Sequence, residues 1–287
     1  MRIALNPIQW MASDDGWLDP SKAPDREKLL TLVKEAGFEG VMAEVPAGWS
    51  VDRYREVVTD TGLALAPGYF VYRYDDAEAD TLDRAATVAR QHAELGLTDV
   101  GLGMGMSKEA PRVLRPAQGH EPSADRLSDI TARIGRIAEV MQAEGVRPAL
   151  HPHVGTWIET DTESRTVLDA LLSIGFLPDT GHLAWAGIDV RALIADYATR
   201  TPFVHVKDCR LSIAQQGKTQ DWHYRQTVLA GLWAEPGRGE LPLPEILAAL
   251  PEPFNGWLMV EVDRPDITDP FESAKTSATW MQKTFNN

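Results

Sequence analysis

Four of the seven histidines fall on or beside three short apolar segments: Pro148-Ala-Leu-His151-Pro-His153, Gly175-Phe-Leu-Pro-Asp179-Thr-Gly-His182 and Pro202-Phe-Val-His205-Val-Lys207-Asp208. A fourth segment, Gly256-Trp-Leu-Met-Val-Glu261-Val-Asp263, carries a carboxylate in the same place. Each run turns polar at its C-terminal end. Residues two apart in a strand share a face. His151 and His153 therefore pair, as do Leu177 and Asp179, His205 and Lys207, and Glu261 and Asp263. If these faces converge, Asp179, His205 and Glu261 supply three ligands to a divalent metal, and His151 is the natural fourth. Glu159, farther down the loop after His151, is the competing ligand. A lone polar strand end is more often a hydrogen-bonding residue; four in phase on successive segments favour the metal.

Other groups surround this set. His182 follows a tight turn and stands at the start of the next loop or helix, as a fifth ligand, a proton shuttle, a substrate contact or a structural cap. Beside a cation, Lys207 is expected to be a neutral amine, because desolvation and charge both lower its pKa. The alternative is a partner for Asp208 or Glu261. His153 is a substrate contact or base. Glu44, at the end of another apolar run, orients a substrate hydroxyl or joins a salt bridge. Pro236-Gly-Arg-Gly-Glu240 is a turn whose glycines let backbone NH groups approach a ligand, with Arg238 able to bind an oxyanion or keto oxygen. Trp10, Tyr69 and Trp185 lie near strand ends, where flat faces stack on sugar rings. Cys209 has no evident base partner.

Positioning such a set requires strand ends gathered at one mouth. The pattern supplies eight short strands, each followed by an amphipathic helix. The strands are Ile3–Leu5, Gly40–Val45, Leu63–Phe70, Asp99–Met104 and the four segments above. The helices are expected at 25–36, 51–61, 77–95, 123–144, 162–173, 190–199, 243–250 and 270–285, several closed by Gly37, Gly62, Gly96 or Gly145. The predicted architecture is α/β, a single closed parallel (β/α)8 TIM barrel over residues 1–287, with an open doubly wound sheet as the alternative. Two long connections, 105–122 and 211–240, follow strands and should cover the mouth as substrate lids.

Composition narrows the function classes. The chain of 287 residues carries a net charge of −14, which argues against a nucleic-acid partner. One cysteine excludes a disulfide framework and suits a cytoplasmic protein. No stretch approaches the ~20 apolar residues of a membrane span, and the N-terminus goes straight into a strand-like run without the marks of a secretory leader.

At these residues the chain resembles the sugar phosphate isomerase/epimerase superfamily, the xylose-isomerase-like barrels that also include endonuclease IV. The motifs Asp179-Thr-Gly-His182 and His205-Val-Lys207-Asp208, the Pro-Gly-Xaa-Gly turn and the Gly-Trp-Xaa-Xaa-Xaa-Glu261 strand carry that resemblance. Within the superfamily the chain looks most like the inosose dehydratases, which eliminate water from 2-keto-myo-inositol. Asn6-Pro-Ile-Gln-Trp10, His151-Pro-His153-Val-Gly-Thr156 and Val228-Leu-Ala-Gly-Leu-Trp233 extend the likeness over most of the chain.

The resemblance implies one divalent ion, Mn²⁺ first, with Co²⁺, Mg²⁺ or Zn²⁺ as alternatives, held by His151, Asp179, His205 and Glu261. It implies β-elimination from a keto-cyclitol or 3-keto-sugar through an enediolate, with His153, His182, Lys207 and Glu44 as base, acid and orienting groups. Trp10, Tyr69, Trp185 and Arg238 then bind the substrate. A ketose 3-epimerase or aldose–ketose isomerase is the alternative. Another is the barrel subunit of a C-glycoside-cleaving lyase acting on 3-keto-glycosides, which implies a small partner subunit; a homo-oligomer is equally compatible. Three positions depart from the dehydratase pattern. Tyr69 stands where a lysine is usual, Gly101-Leu-Gly-Met-Gly105 lacks a usual carboxylate, and Arg238 replaces an Asp. These changes line the expected pocket and leave the metal set intact.

Overall fold

Alternating side-chain direction makes each strand two-faced, and the computed structural model, which describes residues 1–285, closes these strands into a barrel. The strands are β1 (Arg2–Asn6), β2 (Gly40–Met42), β3 (Ala64–Ala66), β4 (Tyr69–Tyr72), β5 (Asp99–Met104), β6 (Arg147–His151), β7 (Gly175–Phe176), β8 (Phe203–Val206), β9 (Asp208–Cys209), β10 (Trp233–Ala234) and β11 (Trp257–Glu261). Parallel ladders run β3-β2-β1-β11-β8 and β4-β5-β6-β7. The chain between β3 and β4 joins the ladders on one side, and a parallel bridge between Asp179 and His205 joins them on the other.

The third barrel strand is therefore broken rather than continuous over 63–70. Pro67 has no N–H to give to a ladder, and Gly68 bends the chain. The Gly68 N–H donates to His92 Nε2 at 3.0 Å, and a β-carbon there would collide with the Ala43 carbonyl. The second strand also ends earlier than expected, at Met42.

One face of the strands packs outward against the helices: Leu5, Leu150, Val204 and Val260 belong to that large core. The other face fills the barrel. Ala4, Ala66, Ala149, Leu177, Phe203, Trp257 and Met259 form a separate interior cluster, small residues set among large ones. This plug closes the barrel below and leaves the last inward positions, Asn6, His151, His205 and Glu261, at the mouth.

Two features lie beyond the strand–helix alternation. Thr180–Trp185 is a short helix straight after the Asp179 strand end. The connection after β8 folds as an antiparallel β9–β10 ribbon enclosing helices Leu211–Thr219 and Tyr224–Leu229. Among the described residues no helix is long and apolar enough to cross a membrane.

Candidate metal centre

The inward periodicity brings three of the expected ligands together. Ligand atoms of His151, Asp179 and His205 all lie within 4.8 Å of one another, and all three residues are buried. Glu261 adjoins them: its Oε2 is 3.2 Å from His205 Nδ1 and takes a hydrogen bond from Asn6 Nδ2. A second trio, His151, His153 and His182, meets the same distance limit and shares His151.

Of the donor atoms, His151 Nδ1 and His205 Nε2 are buried without a polar partner, while Asp179 Oδ2 and His205 Nδ1 have only ionic contacts at 3.2 Å, to Lys207 and Glu261. Buried polar atoms are normally paired, and orphans aimed into one volume are what a bound cation would satisfy. Two imidazoles with carboxylates suit a borderline divalent ion. The residues therefore fit such a metal.

Each element of Asp179-Thr-Gly-His182 has a structural reason. Asp179 Oδ1 accepts the His182 N–H at 2.8 Å, capping the short helix and leaving Oδ2 for the cluster. The Thr180 hydroxyl ties both the N–H and the carbonyl of Lys207, at 2.9 and 2.7 Å. A β-carbon on Gly181 would press on Lys207 and Trp233. His182 is thus carried on the helix with its ring 3.6 Å, centroid to centroid, from that of His153.

Lys207 corrects the expectation of a neutral amine. Its Nζ lies 2.7 Å from Glu261 Oε1, 2.8 Å from Asp263 Oδ1 and 3.2 Å from Asp179 Oδ2. Burial pulls its pKa down, but the three carboxylates outweigh burial and hold it well above the usual lysine range. The partner reading holds for Glu261, to which Asp263 must be added; Asp208 is occupied elsewhere. Burial pushes Asp263 up to about 6. Burial also pushes Glu261 up, yet His205 and Lys207 overcome it and keep Glu261 well below the carboxylate range.

The histidines respond in the opposite sense. Burial pushes His153 down to about 4 and holds His151 and His182 well below the imidazole range, so all three are neutral at pH 7. His153 Nδ1 lies 2.7 Å from the Val154 carbonyl, which can only accept; Nδ1 therefore carries the proton and Nε2 the lone pair. His182 Nε2 lies 3.2 Å from Lys207 Nζ, so its lone pair is engaged.

A cavity of about 240 Å³ opens above these groups, lined on its polar side by Asn6, His151, His153, His205, Glu261 and Asp263. Its apolar side includes Trp17, Met42, Met106 and Trp233; Tyr69 and Tyr224 also line it. A larger hollow of about 710 Å³ lies at the opposite end of the barrel, among Arg2, Asp99, Arg147 and Asn255. None of the clustered ligands reaches it, so the smaller cavity is the candidate site.

Four expected contacts fall elsewhere. Glu44 lies past the end of β2, turned out to Arg26 with its side chain 54% exposed. Trp10 is buried in the outer core. Trp185 packs behind the cavity wall on Tyr224 and Trp233. Arg238 is ion-paired with Asp266 and Glu235. The N–H groups of its turn do not serve a ligand: Asp208 accepts those of Gly237, Gly239 and Leu241 at 2.9–3.1 Å. Glu159 is likewise taken, accepting N–H groups from Ala117, Gly119 and Gly155 at 2.8–3.1 Å, which ties down the 105–122 connection. Met106 and Tyr224 line the cavity from the two connections expected to cover the mouth, whereas Trp17 arrives on the connection after β1, which sequence reasoning did not single out.

Comparison with known proteins agrees with the barrel fold. Residues 30–284 match the xylose isomerase-like TIM barrel family. The rhizopine catabolism protein MocC of Rhizobium meliloti is 32% identical over 295 residues, covering 96% of this chain and 86% of that protein. An inosose dehydratase of Geobacillus kaustophilus is 27% identical, covering 98% of this chain and 94% of that one. A solved structure, described as the IOLI protein with a bound zinc atom, superposes with a TM-score of 0.71 at 14% identity, covering all of both chains.

Proposed function

Because the chain belongs to the xylose isomerase-like TIM barrel family, we propose that it is a metal-dependent lyase that eliminates water β to the ketone of a keto-cyclitol or 3-keto-sugar. The likeness to inosose dehydratase makes 2-keto-myo-inositol the first substrate to try. The observation that carries the reading is the buried convergence of donors on His151, Asp179 and His205, two of whose imidazole nitrogens have no polar partner, set beside a neutral His153 under a cavity sized for one small ring. We assign residues 1–285 to this one barrel domain, the expected span of 1–287 ending at two residues outside those described, and the cytoplasm as its compartment.

His151, Asp179 and His205, with Glu261 adjoining, would hold the ion, and Mn²⁺ is the proposed occupant. When bound, such an ion supplies Lewis-acid polarisation of a carbonyl. The protein's own groups do the rest. His153 presents an unprotonated Nε2 to the cavity and is the base for the proton beside the carbonyl. Lys207 holds Glu261, Asp263 and His182 in place and keeps the floor of the site from carrying a bare excess of negative charge. The apolar wall of Trp17, Met42 and Met106 receives the C–H face of the ring and excludes water.

The test is metal analysis of the purified protein, then chelation and restoration of Mn²⁺, Co²⁺, Mg²⁺ or Zn²⁺ in turn. Stoichiometric metal and dehydration of 2-keto-myo-inositol support the reading. Turnover of ketohexoses by epimerisation alone, or of a 3-keto-glycoside alone, moves the reaction while keeping the site. Absence of bound metal overturns the reading.

A further inference from the structure

Two glycines on β5 leave a socket in the barrel wall, and Tyr69 fills it. In the parallel register Gly101 is level with Tyr69, and Gly103 is level with His151. A β-carbon on Gly101 would lie 2.5 Å from the Tyr69 ring, and one on Gly103 would overlap the Tyr69 hydroxyl. The phenol thus reaches diagonally across β5, and its oxygen takes the place of a Gly103 side chain beside a ligand histidine. The ring meets that of His151 edge-on at 5.3 Å and lies 6.1 Å from that of His205.

Tyr69 lines the cavity, and among the described residues its hydroxyl has no hydrogen-bond partner. Several neighbouring polar groups are engaged. Lys207 holds Glu261 and Asp263, and Asn6 donates to Glu261. His153 Nδ1 is committed to Val154. Tyr224 also has a free hydroxyl; its ring packs on His153, Trp17 and Trp185, whereas the Tyr69 ring meets those of His151 and His205.

We propose that Tyr69 is the catalytic acid of the elimination, giving its phenolic proton to the departing hydroxyl. This rests on the dehydratase reading. His153 Nε2 takes the proton from the carbon beside the carbonyl. That electron pair forms the new C=C bond, and the C–O bond at the next carbon breaks. The oxygen takes the Tyr69 proton and leaves as water, and the proton on His153 returns to the phenolate through solvent. No oxidant or reductant is required. A phenol that still carries its proton can neutralise the hydroxide as the C–O bond breaks.

The test uses metal-reconstituted wild type and Tyr69→Phe with 2-keto-myo-inositol in D2O. Two quantities are read: dehydrated product, and deuterium incorporated into recovered substrate. Tyr69→Phe keeps the ring in its socket. Product formation should fall by ~100-fold or more, while deuterium exchange stays within a few-fold of wild type. Gly103→Ala, which displaces the hydroxyl with Tyr69 intact, should give the same split. Parallel loss of exchange and elimination in Tyr69→Phe overturns the proposal, because the hydroxyl then only positions substrate. The split appearing in Tyr224→Phe and not in Tyr69→Phe overturns it as well. Wild type that neither exchanges nor eliminates defeats the dehydratase reading, and the proposal with it.

Discussion

Lys207 and Asp263 are clamped at 2.8 Å beneath the cavity, the ammonium wholly buried and the carboxylate 15% exposed. Removing the cation leaves Asp179, Glu261 and Asp263 facing one another without a counter-charge. Breaking one side of a buried ion pair typically costs about 3–5 kcal/mol. Lys207→Met is therefore expected to lower stability by about that amount in denaturant titrations and to abolish turnover. Metal analysis should still find the ion, since Lys207 is no ligand, and added metal should recover part of the lost stability.

Asp179 serves two masters through two oxygens. Asp179→Asn keeps the acceptor that caps the helix 180–185 and removes the charge aimed at the cluster. Metal affinity measured by calorimetry should fall by about 10-fold or more, and the metal-free protein should lose stability as well, because a neutral amide no longer pairs with Lys207 Nζ, 3.2 Å away. A full metal complement in this variant would remove Asp179 from the ligand set.

Glu159 separates a ligand from a strut. Its carboxylate is saturated by three backbone N–H groups. Glu159→Ala should leave metal content unchanged and release the connection over the mouth. The expected readout is a raised KM and faster proteolysis within residues 105–122. Loss of metal would reinstate Glu159 as a ligand.

The depressed pKa of His153 makes a signed pH prediction. Folded His153 titrates at about 4, against an ordinary histidine value of 6.5. Between those values the unfolded chain binds the extra proton, so stability from this residue is complete above pH 6.5 and is lost as pH falls toward 4. His153→Gln removes the effect. The stability difference between wild type and variant should therefore shift by on the order of 3 kcal/mol across that window, read by urea titration. If His153 is the base, kcat/KM should be level above about pH 4 and fall tenfold per unit below it.

The alternation of strand and helix was readable because burial on both faces leaves unbroken apolar runs. The convergence of His151, Asp179, His205 and Glu261 was readable because residues at the ends of those runs continue the inward phase: His151 follows Ala149, and Glu261 follows Met259 and Trp257. Phase information stops where the strand stops. Glu44 lies two residues beyond β2, so alternation no longer dictates its direction, and Arg26 draws it outward. Arg238 sits on a turn whose geometry Asp208 decides from a distant point in the chain. The charge on Lys207 was misjudged for a related reason: its field comes from Asp179, Glu261 and Asp263, which only the closed barrel brings within 3.2 Å.

The first and last barrel strands pair along five residues, from Arg2 with Trp257 to Asn6 with Glu261. That seam gives the site a timetable. On the ribosome, His151, Asp179 and His205 emerge well before Glu261, while β1 waits as an unpaired edge. The proposed ligand set is completed only when the C-terminal strand slots between β1 and β8. On the proposed reading tight metal capture reports ring closure, and a chain truncated before β11 loses Glu261 and its barrel in the same event.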